Sequence, residues 1–228
     1  MDTPASPISA QEFVLALEAE VNAALEKSIR GPLAQETMLE GASSEPNIPE
    51  LLKLALKNEF EATEIAALWM NRVADVDIKL ALARQCGDEA KHYRWIESRL
   101  KAMGESLSGF SPQGGSPIFD YLSGLIDPAA MIAAGPFARE ALAIIRNDVF
   151  AEYCDSQGDK ETAMLYREHI QPDERHHHML GCRLLERLAQ TDEQREVARE
   201  AALKTVRLAD EIQEMIRMKR GIRHAPGC

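Results

Sequence analysis

Two short motifs with the same spacing constrain the fold of this chain more than any other feature. Glu89 and His92 form one Glu-x-x-His motif, and Glu174 and His177 form the second. Residues three apart lie on one face of an α-helix with Cβ atoms about 5–6 Å apart, so each glutamate can bind a metal ion together with its own histidine. The repeated spacing therefore predicts two helices that each present a metal-binding pair.

A single glutamate lies upstream of each motif in a stretch with helical periodicity, Glu59 before the first and Glu140 before the second. Two Glu-x-x-His motifs and two further glutamates are the ligands that some four-helix bundles project inward around a pair of metal ions. Four carboxylates and two imidazoles, with no thiolate, favour iron or manganese. We therefore predict two iron ions, or alternatively manganese or a mixed Mn/Fe pair. The predicted ligands are Glu59, Glu89, His92, Glu140, Glu174 and His177.

The spacing along the chain agrees with this arrangement. In an antiparallel helical hairpin, two residues at one level lie equally far from the turn. The midpoint between the lone glutamate and the motif glutamate is residue 74 in the first hairpin and residue 157 in the second, and both fall at predicted turns. The half-separations of 15 and 17 residues correspond to roughly 22 and 25 Å at 1.5 Å per residue, so all four levels agree to about one helical turn.

The first helix offers three glutamates as ligands, Glu59, Glu61 and Glu64. The positions one and two turns away from Glu59 are nearly all apolar, as expected for a residue on the core-facing stripe of a helix. Glu61 and Glu64 share their face of the helix with Lys57 and with each other. The pattern therefore favours Glu59.

The second motif also contains a competing pair, Asp173 with His176. The equivalent pair in the first motif is Asp88 with Lys91, and a lysine cannot serve as the ligand there. This parallel favours Glu174 and His177. Pro172 removes a backbone hydrogen bond and should kink or loosen the helix just before the motif.

The remaining sequence also has helical periodicity, so the predicted fold is all-α. Capping boxes at Ser9–Glu12 and Thr191–Gln194 open the first and last helices. Gly135-Pro136 predicts an interruption within the third bundle helix. The predicted helices span about 10–30, 49–73, 75–103, 128–153, 159–189 and 191–220.

We divide the chain into three regions. Residues 1–48 form an N-terminal helix and loop, and residues 190–228 form a C-terminal helix with a loose tail. Residues 49–189 form a four-helix bundle of two helix hairpins joined by a loop at 105–127, with the terminal helices flanking it.

Composition limits the partners. The formal net charge of −11 at pH 7 disfavours binding to nucleic acid or to an anionic membrane. No run of eighteen apolar residues predicts a membrane span, and the first residues lack a signal-peptide pattern, so we expect a cytoplasmic protein. The four cysteines form no Cys-x-x-Cys pair, and we interpret Cys86, Cys154 and Cys182 as reduced core residues.

Asp88 and Asp173 extend both motifs to Asp-Glu-x-x-His, and this form resembles bacterial multicomponent monooxygenases and ribonucleotide reductase small subunits. Over about 140 residues, from 49 to 189, the chain is similar to the ferritin-like di-iron carboxylate superfamily. The resemblance implies that Asp88 holds His177 and that Asp173 holds His92, as supporting partners of metal-bound histidines.

The resemblance also implies a chemistry, the O2-dependent oxidation of a small apolar substrate, with an electron-donor protein as a further partner. Ile96 stands where a reductase has its radical tyrosine, which argues against a tyrosyl-radical reductase. The alternative is a ferritin-like iron-binding protein or ferroxidase without an organic substrate. We expect a monomer or homodimer. The expected apolar pocket is lined by Ala62, Ala66, Tyr93, Ala143, Ile144 and Ile170.

Overall fold

The computed structural model describes residues 8–30, 47–113, 115–221 and 225–227. These residues form helices and no strand, as the sequence predicted. The helices, in chain order, are α1 (Ala10–Arg30), α2 (Ile48–Met70), α3 (Val76–Ala102), α4 (Pro117–Gly124), α5 (Pro128–Ser156), α6 (160–188) and α7 (Asp192–Arg220).

The helix ends follow from local hydrogen bonds that the sequence predicted. The Ser9 amide donates to Glu12 at 2.7 Å, and Thr191 with Gln194 forms the second capping box. Asp75 caps α3 by accepting from the backbone of Ile78 at 3.0 Å. Both capping boxes are therefore confirmed.

Four helices form the bundle around the predicted ligands. α2 packs along α3, α5 packs along α6, and α3 contacts α6. The short turns after α2 and α5 make each pair an antiparallel hairpin. α1 and α7 pack against each other and against the α5–α6 hairpin.

The buried apolar side chains fall into two clusters at opposite ends of the bundle. On α2 the residues from Ile48 to Leu56 belong to one cluster, and those from Ile65 onward belong to the other. On the antiparallel α3 the order is reversed, with Leu82 in the second cluster and Ile96 in the first. A layer of buried polar side chains, including Glu59, separates the two clusters.

Two π-helical segments interrupt the α-helical hydrogen bonding of the second hairpin. Ala133–Arg139 lies within α5 and contains Pro136, so the expected interruption takes the form of a π segment inside a continuous helix. Leu165–Ile170 lies within α6 and ends two residues before Pro172. Each segment precedes a predicted ligand glutamate on its own helix. A π segment adds a residue to a helical turn and so changes the direction of the side chains that follow it.

Two parts of the chain differ from the prediction. The connection at 105–127 contains α4, capped by Ser116 and held to the core by the buried Leu122. The described part of the tail, 225–227, is not loose: the Asn58 side chain donates to the Pro226 carbonyl at 3.1 Å. These backbone groups find partners on the bundle, which the sequence pattern of the tail did not reveal.

Among the described residues, one helix is long and apolar enough to cross a membrane, Pro128–Ser156. Its most apolar window is 83% buried inside the protein. This helix therefore packs in the core of the bundle.

Gly181 allows α6 to approach the π segment of α5. A Cβ atom at Gly181 would lie 2.6 Å from the carbonyl carbon of Pro136 and 2.7 Å from the amide nitrogen of Phe137. We predict that Gly181→Ala lowers the free energy of unfolding by about 1–3 kcal/mol, because backbone atoms cannot yield as a flexible side chain would.

The matched control is Gly87→Ala on the exposed face of α3, where a Cβ atom meets nothing within 4 Å. This change should stabilise the helix by up to about 1 kcal/mol. Urea unfolding of both variants measures the difference, and equal effects would contradict the close helix contact.

Candidate metal centre

The bundle brings all six predicted ligands together between its two apolar clusters. Their ligand atoms form two sets, and within each set the atoms lie within 4.8 Å of one another. All six residues are at most 5% exposed. The six residues are Glu59, Glu89, His92, Glu140, Glu174 and His177.

Two glutamates belong to both sets. Glu89 and Glu174 occur with Glu59 and His92 in one set, and with Glu140 and His177 in the other. Glu89 places Oε2 3.3 Å from Nδ1 of His92 and Oε1 3.5 Å from Nδ1 of His177. Each of these carboxylates can therefore bridge two ions while the remaining groups each serve one.

The histidines are oriented by aspartates from the opposite motif. Nε2 of His92 lies 3.2 Å from Asp173, and Nε2 of His177 lies 3.2 Å from Asp88. A carboxylate accepts the Nε2 proton, which leaves Nδ1 as the atom that faces the glutamates. Lys91 lies 2.8 Å from both aspartates and holds them in place over the histidines.

Several atoms of the cluster are buried without a hydrogen-bond partner. These are Nδ1 of His92, Nδ1 of His177 and Oε2 of Glu174. Buried polar groups almost always have partners, because an unmet one costs about 1–3 kcal/mol. One cation in each set would satisfy these three atoms, so the residues present fit a metal pair.

Burial and charge control the protonation of the cluster. Burial raises the pKa of Glu59 to about 8, and burial with the nearby carboxylates raises the pKa of Glu140 well above its usual range. Burial opposes a charged imidazole, but the surrounding carboxylates outweigh it and raise the pKa of His92 to about 12 and of His177 to about 9. Bound divalent cations would displace the protons from these four groups.

The sequence prediction did not include two buried polar residues at the site, Gln85 and Arg139. Gln85 donates to Glu140 at 2.7 Å and to Glu89 at 3.3 Å. It lies one turn before Glu89 on the core-facing stripe of α3, and that position could have identified it. Arg139, just before Glu140, is also buried and donates to the Asn58 carbonyl at 3.2 Å.

Other candidates lie apart from the cluster. Glu61 is buried but accepts from the backbone and hydroxyl of Ser116 at 3.0 and 2.7 Å. The Thr63 hydroxyl donates to the Glu59 carbonyl at 2.8 Å, within its own helix. His178 turns toward α1 instead of the ligands.

A cavity of about 10 Å³ lies against Glu140. Ala62 and Ala66 line it, as predicted, together with Trp69, Gln85 and Arg139. Tyr93, Ala143, Ile144 and Ile170 do not line this cavity, so their expected place beside the ligands stays a prediction. Gln85 and Arg139, which the sequence prediction missed, line this side of the cluster instead.

The chain gives no match in comparisons with protein-family models, with curated proteins and with solved structures.

We predict about two iron or manganese ions per chain, with both lost in Glu89→Ala or Glu174→Ala, because each of these carboxylates serves both ligand sets. Elemental analysis after anaerobic loading measures the content. Glu64→Ala, at an exposed position of α2, is the control and should keep both ions. A Glu89→Ala variant with full metal content would contradict the shared arrangement.

Asp173→Ala should weaken metal affinity by about 10- to 100-fold while the fold is retained, because the aspartate orients His92 without binding the metal itself. Competition with a chelator measures the affinity, and circular dichroism reports the fold. Asp192→Ala, at a side chain 95% exposed, should change neither. Unchanged affinity in Asp173→Ala would show that the aspartate has no such role.

Proposed function

We propose that this chain is a ferritin-like protein that holds two iron ions, or manganese or a mixed pair, and uses O2 to oxidise a small substrate. The observation that carries the proposal is the presence of Glu89 and Glu174 in two adjoining ligand sets that each contain one histidine. Six buried nitrogen and oxygen ligands without a thiolate suit these redox-active metals.

The two ions, when bound, would supply the electrons for the reduction of O2, one from each ion. The protein residues fix the geometry around them. Asp88 and Asp173 keep the histidine Nδ1 atoms directed at the centre, and Gln85 positions Glu140 through its amide hydrogen bond. Burial between two apolar clusters excludes bulk water and strengthens each electrostatic contact.

The cavity beside Glu140 supports a small reactant. Its volume of about 10 Å³ is close to the space that one water molecule requires. The small side chains of Ala62 and Ala66 leave this space open, while Trp69 closes it on the side of α4. A diatomic molecule suits this space, and an organic substrate would require the neighbouring side chains to move.

The same observation favours a second candidate, a ferroxidase whose substrate is Fe²⁺. A ferroxidase needs no cavity for an organic molecule. The two candidates share the metal ligands and differ in what is oxidised after O2 reacts.

The test is to mix protein loaded with two Fe²⁺ ions per chain with O2 and to follow O2 uptake and Fe²⁺ oxidation. We expect oxidation to stop after about two Fe²⁺ per chain until a reductant is added, because the proposed substrate is an organic molecule and the electron supply is limited to the bound pair. Continued oxidation of added Fe²⁺ would favour the ferroxidase. Oxidation no faster than in protein-free buffer would contradict both.

A cavity-filling variant separates O2 access from metal binding. Ala66→Val should keep the metal content but slow O2 uptake, because the added methyl groups enter the cavity. Ala90→Val, at an exposed position of α3, is the matched control and should react like the wild-type protein. Equal rates in all three proteins would show that this cavity is not the route to the centre.

A further inference from the structure

A second group of possible ligands joins α1 to α6, on the outer side of the bundle. Glu18 comes from α1, and His178 and Cys182 lie one turn apart on α6. One ligand atom from each of the three lies within 4.8 Å of the other two. None of them belongs to the six predicted ligands of the dinuclear centre.

The hydrogen bonds of His178 define its ligand atom. Nδ1 lies 2.8 Å from the carbonyl oxygen of Phe137, and a carbonyl only accepts, so Nδ1 carries a proton. Nε2 is then the second ring nitrogen, 3.2 Å from Oε1 of Glu18 and 3.8 Å from Sγ of Cys182. Nε2 of His178 therefore faces the Glu18 carboxylate and the Cys182 sulfur, and a metal ion could be bound between the three atoms.

The distances fit a metal ion as well as a proton. Zinc binds nitrogen and oxygen at about 2.0–2.2 Å and sulfur at about 2.3 Å in tetrahedral geometry, so neighbouring ligand atoms lie about 3.3–3.6 Å apart. The observed 3.2 and 3.8 Å differ from these edges by a few tenths of an ångström. A histidine whose other nitrogen donates to a backbone carbonyl is the usual arrangement of a zinc ligand.

We propose that Glu18, His178 and Cys182 form a mononuclear site for a borderline-soft divalent cation, Zn²⁺, with water as the fourth ligand. The thiolate and imidazole distinguish this site from the oxygen-rich dinuclear centre. The Glu18 side chain is 37% exposed and the His178 side chain 15% exposed, so an ion reaches them from solvent.

The thiol requires the cation in order to ionise. Burial, with the Glu18 and Glu186 carboxylates nearby, raises the pKa of Cys182 to about 12. A bound zinc ion deprotonates a coordinating thiol outright. Because its three ligands come from two helices, a bound zinc ion would join α1 to α6.

Co²⁺ is the probe, because a thiolate bound to Co²⁺ gives a charge-transfer band in the near ultraviolet and the dinuclear centre has no thiolate. We expect this band in the wild-type protein and its disappearance when Zn²⁺ is added. Cys182→Ser should abolish the band, and the matched variants Cys86→Ser and Cys228→Ser should keep it.

Glu18→Gln is a second variant at a partly exposed position, chosen because it should not disturb folding. It should weaken Co²⁺ binding by about tenfold or more, as expected for the loss of one ligand charge. A wild-type protein without the band, or a band that persists in Cys182→Ser, would overturn the proposal and leave His178 as the partner of Glu18 in a salt bridge. The Fe²⁺ oxidation test does not depend on this result.

Discussion

The structure depends on the burial of four carboxylates and two imidazoles at one level of an otherwise apolar bundle. Each buried charge costs several kcal/mol unless a partner compensates for it. In the protein alone, compensation comes from protons on the histidines and on Glu59, and from the buried Arg139. A pair of divalent cations would compensate the same charges and would also satisfy the atoms that lack hydrogen bonds, such as Nδ1 of His92.

The fold buries the six predicted ligands of this polar layer. Apolar clusters close the bundle above and below it, while α1 and α7 cover the second hairpin. Helix α5 of this hairpin contains a long apolar window that is 83% buried. Within the described residues, both π segments lie on this hairpin. We infer that they adjust the direction of Glu140 and Glu174, because an inserted residue rotates the side chains that follow it.

Much of the arrangement could be predicted from the sequence because it rests on helical periodicity. The Glu-x-x-His spacing, the apolar neighbours of Glu59 and the turn midpoints place the predicted ligand residues at one level. The structure brings their ligand atoms together in two sets, each within 4.8 Å, that share Glu89 and Glu174. Gln85 follows the same periodicity and could have been included.

The remaining features depend on tertiary packing. Gly135-Pro136 signals a local disturbance but does not specify a π segment, because its geometry depends on α7 and on the contact at Gly181. The side-chain conformation of Arg139 affects the shape of the small cavity, because Arg139 lines it. Helix α4 depends on the packing of its buried side chain Leu122. Local sequence alone does not specify these features.

The central claim is that one buried cluster holds two metal ions that share Glu89 and Glu174. Anomalous X-ray diffraction at the iron absorption edge, from crystals of protein loaded with Fe²⁺, tests it most directly. The account predicts two peaks about 3.5–4 Å apart, the separation usual in two-metal sites, with Glu89 and Glu174 between them. A single peak bound by one ligand set, or two peaks that share no carboxylate, would contradict it.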